Sequence, residues 1–226
     1  MTHSIRLTFL ALACALALAG CKKAPNDAPA DAPAAAPSAQ PSRPPAPPAE
    51  PTPEEREAAA RKAKLDYATM EDGYLNDAQA QWASTARASS SFNEKEPPAD
   101  PKDSRAWRAT GTVDGNTWSQ GRQDVGMDWI ELGYDKPVHA TAVRAVFESQ
   151  EAVEAITKVD LIDTAGAVQT VWSGISDVKR DDRGERTWFV RTFARSAQPI
   201  RAVRLTFANN VASGYKEVDA VQLVGE

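Results

Sequence analysis

Between Ala24 and Pro53 stand eleven of the chain's sixteen prolines, and Pro25, Pro29, Pro33, Pro37 and Pro41 recur every four residues with alanine among the residues between them. Proline locks φ and removes a backbone donor, so no helix survives that spacing. The tract is predicted to be extended and semi-rigid, at about 3 Å per residue in polyproline II form, with a reach on the order of 90 Å. It is either a spacer that holds a domain away from its point of attachment or a tail without a selected length. In both cases packed structure begins only beyond it.

Thr52-Pro53-Glu54-Glu55 has the pattern of a helix start. Thr52 can cap, Pro53 fits the first turn where its missing N–H costs nothing, and Glu55 can complete a capping box. The helix is predicted over 54–72, its body running to about Met70 and Glu71-Asp72-Gly73 ending it. Glu54, Glu55 and Glu57 near the start, with Arg61, Lys62 and Lys64 further along, suit the macrodipole. Large apolar residues are scarce before Leu65, Tyr67 and Met70, so only the C-terminal end is expected to dock. The segment reads as a solvated connector, and less readily as a partner-binding helix.

From about Gln81 the apolar period changes to two. Trp129-Ile130-Glu131-Leu132, Ala142 to Phe147 and Val203 to Phe207 alternate apolar with polar residues, which places one set inward and the other toward water. Further strands are predicted at 157–163, 168–172, 187–193 and 217–224. Asp163-Thr164-Ala165-Gly166 forms a hairpin turn in which Gly166 can take positive φ. Many strands with turn signals between them, and no convincing long helix, argue an all-β sandwich over 80–226.

The N-terminus adds a second organising signal. Arg6 is followed by an apolar run from Leu7 to Ala19, too short to span a bilayer, and then by Leu18-Ala19-Gly20-Cys21. This resembles the lipobox of secreted bacterial lipoproteins. The resemblance implies a signal peptide over 1–20, acylation of Cys21 and a tether over 21–53. Several acyl chains make a stable membrane anchor. Lys22 is not an inner-membrane retention signal of the Asp type, so the resemblance favours the outer membrane of a Gram-negative envelope. The other reading is an ordinary signal peptide with a chance cysteine. Cys14 leaves with the signal and lipid consumes Cys21, so the folded part has no disulfide or cysteine metal site. His139 is the one histidine left, which excludes a paired-histidine zinc site and leaves little room for a catalytic triad. Loss of 1–20 removes only Arg6 among the charged residues, leaving 25 basic against 31 acidic side chains. Nucleic acid is therefore not an expected partner.

Trp82 to Phe92, Arg108-Ala109-Thr110-Gly111-Thr112-Val113-Asp114-Gly115-Asn116-Thr117-Trp118 and Asp128-Trp129-Ile130-Glu131-Leu132-Gly133-Tyr134 stand in an order similar to the opening of discoidin-type domains. These form the coagulation factor five/eight C-type, galactose-binding-like family, and Tyr215 to Val221 resembles the family's closing strand. The resemblance covers Gln81 to Glu226 and implies a jelly-roll sandwich. The chain lacks the cysteine pair that ties the ends of animal members, which weakens the analogy to their lipid binding. Bacterial members bind carbohydrate through loops at one end, which makes Phe92, Trp107, Arg122, Asn209, Asn210 and Tyr215 the candidate contacts. Trp107 reads more readily as core than as a ligand platform. Trp82, Trp118, Trp129, Trp172 and Trp188 read as core or core edge, and Lys179 to Arg186 as a solvated loop of balanced charge. The resemblance also implies a structural calcium ion, with Asp114, Asn116 and Thr117 matching its loop and Glu217 its closing glutamate. Asp114-Gly115-Asn116 is at the same time an ordinary turn signal.

Three function classes follow. The first is a tethered, non-catalytic module that binds a cell-envelope or extracellular glycan. The second is an envelope lipoprotein that docks another protein and meets no sugar. An enzyme is the third: Asp114 with Glu217, or Glu148 with Glu151, could flank a glycosidic bond, but no motif sets their separation.

Overall fold

The computed structural model describes residues 50–148 and 152–226. Acylation of Cys21 and the proline tract up to Ala49 lie outside them. Residues 50–226 form one compact unit. It comprises a helix, α1 (Pro53–Leu75), and nine strands: β1 (Ala80–Trp82), β2 (Thr85–Ala88), β3 (Met127–Val138), β4 (Ala140–Phe147), β5 (Ile156–Asp163), β6 (Val168–Ser173), β7 (Thr187–Thr192), β8 (Ile200–Ala208) and β9 (Val218–Gly225).

The strands make two antiparallel sheets, ordered β1-β9-β4-β7 and β2-β3-β8-β5-β6. The chain passes repeatedly from one sheet to the other, as in a jelly roll. The predicted sandwich is thus the observed one, and its strand positions agree with the alternating segments. Gly166 has φ +86°, and the Asp163 carboxylate accepts the N–H groups of Ala165 and Ala167, which closes the expected turn.

The interior between the sheets is one apolar cluster. Val143, Ala145 and Phe147 of β4 and Val221 and Leu223 of β9 face Ile130 and Leu132 of β3 and Val203, Leu205 and Phe207 of β8. Trp118 plugs one end of this core without solvent exposure, its ring centroid 5.8 Å from that of Phe207. Burial on this scale supplies the driving force that residues 50–226, which contain no cysteine, need, at about 25 cal/mol for each Å² of apolar surface.

Three features differ from expectation. The capping box forms, with the Glu55 N–H on Thr52 Oγ1 (3.2 Å) and the Thr52 N–H on Glu55 Oε2 (2.7 Å), but α1 runs on through Glu71-Asp72-Gly73 to Leu75. Tertiary contacts hold the extra turn. The Tyr74 ring lies 5.1 Å from Trp188, the Tyr74 carbonyl accepts the Gln222 amide, and Asn76 closes the helix on the Asp72 carbonyl.

The outer face of the four-stranded sheet is partly covered. Val146 and Trp188 join Tyr67 in a second buried cluster, against which Met70, Tyr74, Trp82, Val113 and Val190 pack. Here α1 packs on the sheet, so Val146 of β4 is buried on the outer face beside Arg144 and Gln222, and Trp82 and Trp188 belong outside the central core. Arg144 locks the arrangement, reaching Asp77 at 2.8 Å with its guanidinium 4.3 Å from the Tyr74 centroid.

The segment from Lys179 to Arg186 is more than a solvated loop. Gly184 lies directly against the Tyr67 ring, and the Arg186 carbonyl accepts the Tyr67 hydroxyl at 2.9 Å. Burial and the neighbouring Glu71 push that phenol up to about 12.

Candidate functional site

Strand register places the long connections together. Ala88 pairs with Ile130, Met127 with Ala208, and Phe147 with both Val218 and Thr187, so the β2–β3, β4–β5, β6–β7 and β8–β9 connections all leave one end of the sandwich. The opposite end has tight links at 83–84, 139 and 164–167.

Buried polar side chains tie the loops at the long end. Asp128 accepts the hydroxyls of Ser89 (2.6 Å) and Ser90 (2.7 Å) on one oxygen and the Asn209 amide (2.7 Å) on the other. Trp118 gives its Nε1–H to the Ser90 carbonyl and the Ser91 hydroxyl. Lys216 is fully buried, and its ammonium donates to the carbonyls of Ala212 and Gly214, each at 2.5 Å. A buried ammonium is tolerated because those carbonyls, with the Asp124 carboxylate 4.0 Å away, replace its water.

Two of the predicted contacts meet on this frame. Phe92, 46% exposed, lies 4.8 Å from Tyr215 in an edge-on pair. Arg122 and Asn210 are exposed on neighbouring loops. Asn209 differs from expectation: it has no exposure, and its amide is committed to Asp128 and the Val125 carbonyl, so it supports the loops from within.

Trp107 stands apart from this group, on a 3-10 helix over Arg105–Ala109 whose alanines Ala106 and Ala109 are buried. Ser104 caps that helix, and Glu94 fixes it by accepting the Ser104 hydroxyl (3.0 Å) and the Arg105 N–H (2.7 Å). The half-buried indole therefore has a rigid base. It forms one wall of a groove of about 670 Å³ whose floor is β2 and β3. On its other side it borders a polar hollow of about 430 Å³ that reaches Asp114 and Asn116. A third recess, about 380 Å³, continues along β2 from Ala86 to Ser91 beneath the Glu94–Pro98 loop.

The groove combines an aromatic wall with polar groups. The Lys102 ammonium is 6.0 Å from the Trp107 centroid. Glu131 on the floor accepts Arg87 on Oε1 (2.8 Å) and Arg204 on Oε2 (2.7 Å), and the two guanidiniums lie 5.6 and 4.8 Å from the ring centroid of Trp129. Tyr134 also lines the groove. Its hydroxyl is buried without a hydrogen-bond partner, and burial pushes its phenol well above the ordinary value. Tyr134, Arg87 and Lys102 did not emerge from the sequence as residues lining a groove. The available signals were the end of the β3 alternation for Tyr134 and the proline-bounded loop before Trp107 for Lys102.

Of the four residues matched to calcium, Asp114, Asn116 and Thr117 share one loop, which the Trp118–Val218 bridge joins to the chain beside Glu217. Asp114 turns its carboxylate onto Asn116, accepting its N–H (2.8 Å) and its side-chain amide (2.9 Å). The carboxylate that reaches this loop from β9 is that of Asp219, which accepts the N–H groups of Asp114 and Gly115, both at 3.3 Å. Arg186 stands 3.9 Å from it. Donors and a cation surround Asp219 where calcium needs oxygens. Among the described residues no three His, Cys, Asp or Glu side chains group to hold a metal. Burial raises the Asp219 carboxyl to about 6, and neighbouring Glu148 adds to the effect. The signal for Asp219 was a charge inside the apolar run Val218-Asp219-Ala220-Val221.

No protein-family model and no curated protein matches the chain. Solved structures similar to it include CpGH89CBM32-5 from Clostridium perfringens, in complex with GalNAc-β-1,3-galactose, at TM-score 0.45 and 11% identity, covering 67% of this chain and 99% of that one. Another is the family 32 CBM from C. perfringens NanJ in complex with galactose, at TM-score 0.45 and 13% identity, covering 66% and 96%. A third is CBM32-3 from a family 31 glycoside hydrolase of Clostridium perfringens, at TM-score 0.46 and 13% identity, covering 67% and 94%. Likeness at this level leaves the site to be read from this chain's own geometry.

Proposed function

We propose that this protein is a non-catalytic carbohydrate-binding module, carried at the cell envelope by a lipid on Cys21 and held off the membrane by the tract up to Pro53. The observation that supports sugar binding is the placement of Trp107. A pyranose presents an apolar C–H face and a rim of hydroxyls, so its site needs an aromatic wall beside polar groups. Trp107 is a half-buried indole on a braced helix, bordering a groove that also holds Arg87 and Lys102. The Phe92–Tyr215 pair offers a second aromatic surface on the loops.

The test is retention of the purified chain on an oligosaccharide array. Trp107→Ala is expected to weaken the bound sugar at least about tenfold, the loss of one stacking contact worth ~1.5 kcal/mol. Sugar binding untouched by Trp107→Ala, or no sugar bound at all, would discard the proposal. Lipid attachment is tested separately: Cys21→Ala should move the protein from the membrane to the soluble fraction of its cells. The second reading is docking of an envelope protein, favoured by the exposure of Val125, Met127 and Val211 at the loop end. A stoichiometric protein partner lost on Met127→Asp would support it.

A further inference from the structure

We propose that the Trp107 groove is one part of a longer trough, and that its ligand is a linear glycan lying extended along β2 over about four sugar units rather than a single terminal sugar. The inference rests on the groove being the carbohydrate site. The groove and the recess beneath the Glu94–Pro98 loop share Ala86, Arg87 and Pro101 in their linings, so the two hollows adjoin at the middle of β2. Together they follow the chain from Ser84 to Ser91. At about 3.3 Å per residue of extended chain that is a trough of roughly 23 Å, and a pyranose unit takes no more than two residues of such a length. One ring against the Trp107 indole would therefore occupy the groove and leave the recess unused.

The wall opposite β2 is built to hold its shape. Pro97, Pro98 and Pro101 fix φ along the segment that borders both hollows, Asp100 accepts the Lys102 backbone N–H at 2.9 Å, and the Ser104 hydroxyl ties the far end of the segment to Glu94 at 3.0 Å. A wall set in advance spares a ligand the cost of ordering it. The polar groups are spread along the trough as a chain of hydroxyls requires. Lys102 stands by the indole, Arg87 lies where the hollows meet, and Lys95 and Glu96, both exposed, line the recess. Among the described residues, neither Lys95 nor Glu96 has an oppositely charged group within ion-pair distance, which leaves an ammonium donor and a carboxylate acceptor for sugar hydroxyls there.

Calorimetric titration of the full chain with ladders of one to six sugars checks this, the ladders being β-1,4-linked glucose, β-1,4-linked N-acetylglucosamine and the sugar retained on the array. Affinity is expected to rise about tenfold from two units to four, as further hydrogen bonds form, and to level off beyond that length. Trp107→Ala should weaken binding at every length, whereas the Lys95→Ala, Glu96→Ala double variant should flatten the rise beyond two units. A single sugar bound as tightly as four, or a rise that the double variant leaves intact, overturns the extended ligand while leaving the carbohydrate site standing. No ladder bound, together with no sugar retained on the array, removes the site itself and the extended ligand with it.

Discussion

Tyr67 lays its ring directly on the backbone of Gly184, so closely that a Cβ at position 184 would stand 2.1 Å from Tyr67 Cε1. The helix and the β6–β7 connection share this contact, and only a residue without a side chain permits it. Gly184→Ala is expected to destabilise the protein by about 1–3 kcal/mol through overpacking. In a Tyr67→Ala background the same change should cost much less. Urea unfolding of the four species gives the coupling; additive effects would show that the ring does not depend on Gly184.

Asp219 predicts a rise in stability on mild acidification. Its folded value of about 6 lies above the ordinary 3.8, so the folded state holds this proton more tightly than the unfolded chain. Protonation as pH falls through 6 therefore favours folding, and the gain is complete once the unfolded chain also protonates near 3.8. Asp77, held low by the Gln79 N–H and by Arg144, and Asp181, held low by Arg183, act in the opposite sense and lose their contribution as pH falls through their depressed values. The melting temperature should increase between pH 7 and pH 5, and Asp219→Asn should flatten that increase. A wild-type curve that is level or falling over this interval is the contrary result.

Lys216 is the internal cation of the loop end. Lys216→Met removes the ammonium from the Ala212 and Gly214 carbonyls, of which, among the described residues, only Gly214 keeps another donor, the Gln120 amide, and should cost about 3 kcal/mol. Amide exchange should accelerate over residues 211–216 before it does in the strands. A cost below about 0.5 kcal/mol, within the range of ordinary surface substitutions, would show that the ammonium is replaceable.

Millimolar calcium tests the ion implied for the Asp114–Thr117 loop and Glu217: no change in melting temperature would discard it. A rise abolished by Asp114→Ala would instead establish the ion.

Local chemistry sufficed for the features legible in the sequence. The capping box at Thr52, the turn at Asp163 to Gly166 and the alternation of β3, β4 and β8 each depend on residues a few positions apart, through φ preference, short-range hydrogen bonds and a period of two. Trp107 is a candidate through the family resemblance rather than through local chemistry, and the fold sets its indole beside a groove. Four outcomes lay beyond that reach: the last turn of α1, the burial of Val146 and Trp188 on the outer face, the burial of Asn209 and the groove itself. The helix extends because Tyr74 finds Trp188 and Gln222 far along the chain. Asn209 is buried because Asp128 lies across a strand pair from it. The groove exists because the loop carrying Trp107 and Lys102 folds back beside β2 and β3. Sequence periodicity specifies which way a side chain faces within its own strand; what stands opposite it is decided by long-range packing alone.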